Sequence, residues 1–436
     1  MSLLGLRDPN IETTIRLAGF PQPFGDHLEY NAMVHETWNI VHIGMLIPQS
    51  HQIYVCGKNC MRGVVMTAAE MDALDRFHSV VLDPKDIIDG DLEQCTIQGV
   101  CDVIDKLDAH PAVMIVFLVC VHHFLGARSK VIFEQLQNRY PDIRFVNGWM
   151  DPIMQKQGLT PDQKLRMATL DLLADDPIEP KQVNILTENL PTSADCELIT
   201  WLKRHQIEVC EPTRTESFSQ FCRLGKGALS LILTPTGLPA IQKYARRVQR
   251  PYLYLPFVWD YDRLQKSMDT LCGMISVPTM KLSVEECENR WKQVREVIGD
   301  APIEVDYLAY THVLSLTRFL IEHGFHVQRV YVDRMNTEEK EDFIWLQKHA
   351  EDLIVSSTVQ PGMRLAAKEK PDVLAIGPKA AYFNRTKHFV NCIDNGGTWG
   401  VAGMIHLADL LEEAFINEKD TKDLVVRKGL GCVSCI

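Results

Sequence analysis

Residues 301–333 read APIEVDYLAYTHVLSLTRFLIEHGFHVQRVYVD, and the fold turns on this stretch. A β-branched run around Ile303 and Val305 gives way to a segment in which Val313, Leu316 and Leu320 recur at helical spacing. Gly324 marks the end of that helix, because glycine takes up the left-handed backbone of a helix C-terminus without steric cost. A second extended run, Val327 to Val332, follows at once. Strand, helix and strand with tight connections predict two parallel strands joined by a helix that crosses one face of their sheet.

The same alternation recurs on both sides of this unit. Toward the N-terminus it appears in AVMIVFLVCV (112–121), ARSKVIFEQLQNRYP (127–141) and IRFVNGW (143–149). It returns in KQVNILTE (181–188), SADCELITWLKRHQIEVCEP (193–212) and ALSLILTPTGLPAIQKYARRVQRPYLYLP (228–256). Toward the C-terminus it returns once more in PDVLAIGPKAAYFNR (371–385). Two Pro- and acid-bearing separators, LLADDPIEPKQ (172–182) and VIGDAPIE (297–304), divide the pattern into three blocks. The expected fold class is α/β, with three Rossmann-like domains and parallel sheets over residues 1–175, 176–300 and 301–436. The first carries an irregular N-terminal segment, and the last a C-terminal tail. No G-x-G-x-x-G follows a strand, so an ordinary dinucleotide site is disfavoured.

Bulk properties narrow the function classes. A chain of 436 residues exceeds one ordinary core, and 46% apolar with 23% charged residues is the composition of a folded, soluble protein. A formal net charge of −12 without a basic stripe argues against nucleic-acid and anionic-membrane partners. The first twenty residues lack the continuous apolar core of a signal peptide, and the most apolar run, 112–121, is too short to cross a bilayer. The expected location is the cytoplasm. Thirteen cysteines there do not form a disulfide framework.

Most of those cysteines read as packing. Cys95 and Cys101 fall on an apparent helix, and Cys196, Cys210, Cys222, Cys272 and Cys287 stand singly. YVCGKNCMRGVVMTAAEM (54–71) differs, because Cys56 and Cys60 flank a turn at the mouth of a helix, with Arg62 beside them. A helix N-terminus and a nearby cation favour thiolate, the form iron–sulfur clusters need. Cys120 ends the buried run 112–121, where ligands of open α/β sheets bind. A structural zinc site would need a second cysteine pair near the C-x₃-C, although GCVSCI at the C-terminus holds a C-x-x-C of its own, Cys432 and Cys435. His122 and His123 follow Cys120, suited either to orienting a bound group or to capping the strand end.

VCVHHFLGAR (119–128), with IPQSHQIYVCGKNCMRGVV (47–65) upstream, resembles the first domain of nitrogenase component 1 subunits and their relatives. VNILTENLPTSADCELITWLKRHQIEV (183–209) and ALSLILTPTGLPAIQKYARR (228–247) resemble the family's second domain. Residues 305–332, KPDVLAIGPK (370–379) and NGGTWGVAGMIHLADLLEEAF (395–415) resemble its third. By that resemblance Cys60 and Cys120 match cysteines that hold an iron–sulfur cluster between two subunits, either P-cluster-like or 4Fe-4S. The family's first cluster cysteine has no counterpart upstream, so either Cys56 takes its role or the partner subunit completes the coordination. Ala127 and Arg128 replace the family's acidic pair.

The resemblance also implies a second, catalytic metallocluster in the complex, anchored in nitrogenases by a second-domain cysteine and a third-domain histidine. Thr234 stands near the first position, and His388 and Cys392 near the second. The implied partners are a homologous component 1 subunit, in an α2β2-like or homo-oligomeric assembly, and an ATP-dependent iron–sulfur reductase protein. The implied activity is that of a nitrogenase-like reductase subunit, with carbon–sulfur cleavage of methylthio-alkanes as the leading reaction. A tetrapyrrole reductase subunit and a scaffold for metallocluster assembly are the alternatives.

Overall fold

The computed structural model describes residues 11–25, 39–151, 158–194, 196–360, 362–363, 370 and 372–420, with backbone alone at 427–428 and 432–433. Fourteen strands build three sheets, and residues 427–428 and 432–433 pair as a separate two-stranded ribbon. They are β1 (Glu12–Thr14), β2 (Ser50–Cys56), β3 (Phe77–Val81), β4 (Val113–Val119), β5 (Arg144–Met150), β6 (Glu179–Ile185) and β7 (Glu208–Cys210). Then come β8 (Gly227–Ile232), β9 (Tyr252–Tyr254), β10 (Ile303–Asp306), β11 (Val327–Tyr331), β12 (Ile354–Ser356), β13 (Leu374–Ile376) and β14 (Phe389–Val390).

The first sheet has the order β3-β2-β4-β5 and is parallel throughout. Every residue of β4 is buried, because helices cover both faces. Its side chains alternate accordingly. Ile115, Phe117 and Val119 join Tyr54 and Cys56 in one core, while Met114, Val116 and Leu118 join Ile53 and Val55 in the other.

The second sheet, β7-β6-β8-β9, repeats this plan. So does the third, β1-β12-β11-β10-β13-β14, except for the antiparallel β1. In each sheet one strand sits centrally, with its chain successor on one side and a later strand on the other: β2, β6 and β10. The crossovers leave that strand in opposite directions, so a crevice opens at its carboxyl end.

Residues 12–14 lie elsewhere than the first domain expected for them. They pair with residues 354–356 on the edge of the third sheet, where Arg329 bonds both Glu12 and the Ser356 hydroxyl. The last strand of the first sheet ends at Met150 and the next sheet's begins at Glu179, while β9 ends at Tyr254 and β10 begins at Ile303. Even so, the helix Val284–Ile298 buries Cys287, Trp291 and Val294 in a core continuous with Trp399 and Leu407 of the third domain. An aromatic cluster of Trp259, Trp291, Tyr310 and Phe319 fills that junction, with ring centroids 5.2–6.0 Å apart.

No helix among the described residues is long and apolar enough to cross a membrane. Cys101, Cys196, Cys272 and Cys287 are buried, and Cys95, Cys210 and Cys222 are half-buried, as packing residues would be. Of the C-terminal pair, Cys432 bridges Lys428 through backbone, while Cys435 lies outside the described residues.

Candidate metal centre

Because β2 and β4 are parallel neighbours with Tyr54 opposite Phe117, their carboxyl ends emerge side by side. Cys56 closes β2. Gly57 turns the chain into the short 3-10 turn Lys58–Cys60, and Cys60 immediately precedes the helix Met61–Glu70. Cys120 is the first residue of the helix Cys120–Phe124, one step beyond β4. Three chain segments therefore bring three thiols to the crevice of the first sheet. Cys56 is fully buried on the Tyr54 face, whereas Cys60 and Cys120 are half-buried.

The thiols interact with one another. Burial, then the proximity of Cys60 and Cys120, pushes the Cys56 thiol up to about 12. Burial, then Cys120, raises Cys60 as well. The sequence reading expected the helix terminus and Arg62 to favour thiolate, and the structure reverses that order. A helix terminus contributes ~1 kcal/mol, less than one pKa unit, whereas desolvation shifts a buried group by several. Deprotonation here requires positive charge from a bound metal, which couples metal binding to proton release.

The donor set suits an iron–sulfur cluster: soft sulfur ligands arranged around a crevice, with burial and hydrogen bonding available to tune a potential. A single tetrahedral ion would draw thiolates to within ~3.8 Å of one another. Among the described residues, no three His, Cys, Asp or Glu side chains are close enough to hold one metal ion.

Flanking groups fix the crevice walls. His122 is buried, its Nδ1 accepts from the Val119 N–H at 3.3 Å, and its Nε2 lies 3.0 Å from the Thr96 hydroxyl. Burial lowers its pKa to about 4, so it caps the strand end as a neutral ring. His123 lies 3.9 Å from Asp151 and edge-on to Trp149. Arg128 is tied to Glu93 at 3.3 Å. Met66, Phe124 and Leu125, on the segments that carry Cys60 and Cys120, are each more than half exposed.

His388 and Cys392 do not converge. The His388 ring is bonded through Nδ1 to the Ala414 carbonyl at 2.9 Å, at the far end of the helix Val401–Ile416. Cys392 is packed in the core, its Sγ 3.8 Å from the Ala309 carbonyl and bonded to the Tyr310 hydroxyl, and burial pushes its thiol up to about 12. The loop that the resemblance aligned with a cofactor ligand thus sends one side chain to a helix end and the other into the interior.

The other two crevices hold groups that sequence reasoning passed over. Beyond β6, Glu188 Oε1 accepts from the amides of Leu233 and Thr234 at 3.0 and 3.2 Å and lies 3.4 Å from the Thr234 hydroxyl. Burial raises Glu188 to about 7 against the pull of those amides and Arg166, with Asp394 adding to the rise. At the end of β10, Asp306 accepts from the amides of Leu308 and Ala380 at 2.9 and 2.8 Å, and burial raises it to about 6. Gly377, at φ +106°, leaves the room that this carboxylate occupies. One signal was readable: in NILTE and IEVD a carboxylate closes a segment that reads as a strand.

Glu188 also lines a closed pocket with Thr192, Asp394, Asn395 and Thr398, whose volume of about 10 Å³ has room for one water. Arg166, on the first domain's helix Pro161–Leu170, reaches this junction by donating to the Thr187 carbonyl and to Asn189, which in turn donates to Asp394 at 3.1 Å. All three domains meet here.

Comparison with known proteins places the architecture. "Nitrogenase Cp1 at pH 6.5" superposes with a TM-score of 0.64 at 10% identity, covering 92% of this chain and 97% of that one. "Nitrogenase Cp1 at pH 5" gives 0.58 at 12% identity, covering 86% and 87%. No curated protein matches in sequence. The fold is thus that of a nitrogenase component protein. The family model for nitrogenase component 1 type oxidoreductases matches residues 47–415, and the chain belongs to that family. Its members are electron-receiving oxidoreductase subunits that bind iron–sulfur clusters and work with an ATP-dependent iron protein in α2β2 assemblies.

Proposed function

We propose that this chain is a subunit of a nitrogenase-like reductase that receives electrons at an iron–sulfur cluster held by Cys56, Cys60 and Cys120. The observation that carries this reading is the convergence of three neighbouring thiols on one crevice from two adjacent parallel strands. A cluster bound there supplies one-electron transfer at low potential. The chain's own residues define its surroundings: Cys56 approaches from a dry core, Cys60 and Cys120 from the rim, and neutral His122 fixes the turn that carries Cys120. The exposed Met66, Phe124 and Leu125, on the segments that carry Cys60 and Cys120, suit burial against a homologous subunit, which would complete the ligand set. An ATP-dependent iron–sulfur protein is the electron source in this reading, with the cytoplasm as its location.

For the reaction we favour reduction of a small substrate, with carbon–sulfur cleavage of methylthio-alkanes first. Thr234, whose hydroxyl lies 3.4 Å from the pocket-lining Glu188, stands near the position where the family would anchor a metallocluster. This favours a β-like role, or reduction of an organic substrate, over scaffold duty for a maturing cluster. Anaerobic purification with iron and sulfide analysis tests the core of the proposal. Brown protein with several irons per chain, whose visible absorption is lost in Cys60→Ala, is the expected result; colourless protein without iron ends it.

A further inference from the structure

Strand β2 carries a metal-ligating side chain at each end, Cys56 at one and His51 at the other. His51 meets His78, the second residue of the edge strand β3, with Nδ1 of the first 2.7 Å from Nε2 of the second. The ring planes lie within 7° of parallel, and the ring centres are 5.0 Å apart. With the nitrogens so close, that separation places both of them on the line joining the ring centres. The rings therefore meet edge to edge, each facing nitrogen aimed in its own plane at the other. Neutral imidazoles meet in this way by sharing one proton between a donor and an acceptor nitrogen. Both side chains are half-buried.

We propose that His51 and His78 form a two-histidine site for a borderline divalent cation of the zinc type, with solvent in its remaining positions. Neutral imidazole is a preferred ligand of such ions. Burial, then the neighbouring ring and Arg76, lowers His51 to about 4, and burial lowers His78 as well, so both rings are neutral at pH 7. A tetrahedral ion sets two imidazole nitrogens ~3.3 Å apart, so the gap has to open by only about 0.6 Å. Small rotations of two half-buried side chains supply that. As the cation enters, the donor ring moves its proton to its far nitrogen through solvent. Both facing nitrogens then offer a lone pair, and no proton is released. The exposed Asp75 carboxylate favours positive charge at both rings, while Arg76 opposes it at His51. Arg76 is itself committed to the carbonyls of Met45, Ile47 and Ser50. The thiols take no part. Cys56 lies ~17 Å along the strand from His51 and on the opposite face, with Tyr54, whereas His51 shares the face of Ile53 and Val55. A bound ion would clamp the edge strand to the central one at the amino end of the sheet.

The site stands or falls independently of the reductase reading. Zinc titration of the anaerobically purified full chain, followed by calorimetry, tests it. We expect the wild type to bind one zinc ion that His51→Gln and His78→Gln each bind about tenfold or more weakly, and that Cys60→Ala binds unchanged. Zinc should raise the melting temperature of the wild type more than that of either histidine variant. Zinc-edge X-ray absorption of the wild type needs no variant to fold, and should show imidazole nitrogens and solvent oxygens around that ion. Equal binding in the wild type and both histidine variants, or sulfur as the only protein donor to zinc, overturns the site. So does a purely structural outcome, in which both variants melt lower without metal and zinc binding is the same in all three proteins.

Discussion

At the carboxyl end of β2 the first sheet closes on a thiol, Cys56, whereas just beyond β6 and at the end of β10 the other sheets close on carboxylates, Glu188 and Asp306. The three positions are topologically alike, each at the end of a central strand whose neighbours leave in opposite directions. They differ in who satisfies the side chain. Glu188 and Asp306 receive backbone amides from their own domains, so their hydrogen-bonding needs are met within the chain. Cys56 and Cys60 are raised by burial and then by the neighbouring thiols. Two crevices are thus satisfied by backbone from within, and the first presents neutral thiols instead.

The hardest test of that contrast removes a thiol. Cys60→Ala or Cys120→Ala should abolish the visible absorption and most of the iron of anaerobically purified protein, while Cys392→Ala should leave both unchanged. Equal iron in all three variants would erase the distinction between the crevices. Cys56→Ala sharpens it: iron loss there makes Cys56 a ligand, and iron retention leaves it a core residue with the partner completing the set.

Next in size is Gly377→Ala. The positive φ and the collision of a new Cβ with the Asp306 carboxylate should cost about 3 kcal/mol, measured by chemical unfolding. A cost near zero would mean that Asp306 is not held as tightly as its amide bonds imply.

A smaller effect concerns pH. Glu188 at about 7 and Asp306 at about 6 are raised above their unfolded values near ~4. The folded state therefore binds more protons between those limits, and stability should fall as pH rises through this window. For half-buried Glu188 we expect about 1–2 kcal/mol, removed in Glu188→Gln, whose stability should vary less between pH ~4 and ~7. A wild-type stability that rises across the same window would contradict the assignment. The smallest effect is the stability change in Cys392→Ala, about 1 kcal/mol for a small buried thiol that packs without coordinating.

Much of the architecture was readable in advance, because buried parallel strands announce themselves as apolar runs: AVMIVFLVCV became β4, and IEVD became β10. Cys56, Cys60 and Cys120 were readable for a related reason, since strand ends and turns place residues at a crevice whatever the rest of the chain does. Glu188 and Asp306 were not singled out. Their burial depends on amides from Leu233, Thr234 and Ala380, which are distant in sequence and invisible to local pattern. For His388 a loop alignment gave position but not direction, so the bond between its ring and the Ala414 carbonyl was not readable. Residues 12–14 were misplaced because edge pairing joins segments that lie hundreds of residues apart.

That last pairing has a consequence for biosynthesis. Glu12 is translated early, yet its neighbours Arg329 and Ser356 leave the ribosome only after the first two sheets have been made. The leading segment must wait without its hydrogen-bonding partners while two domains assemble behind it. Completion of the third sheet is therefore a late event that closes a very long loop, the kind of step that slows folding.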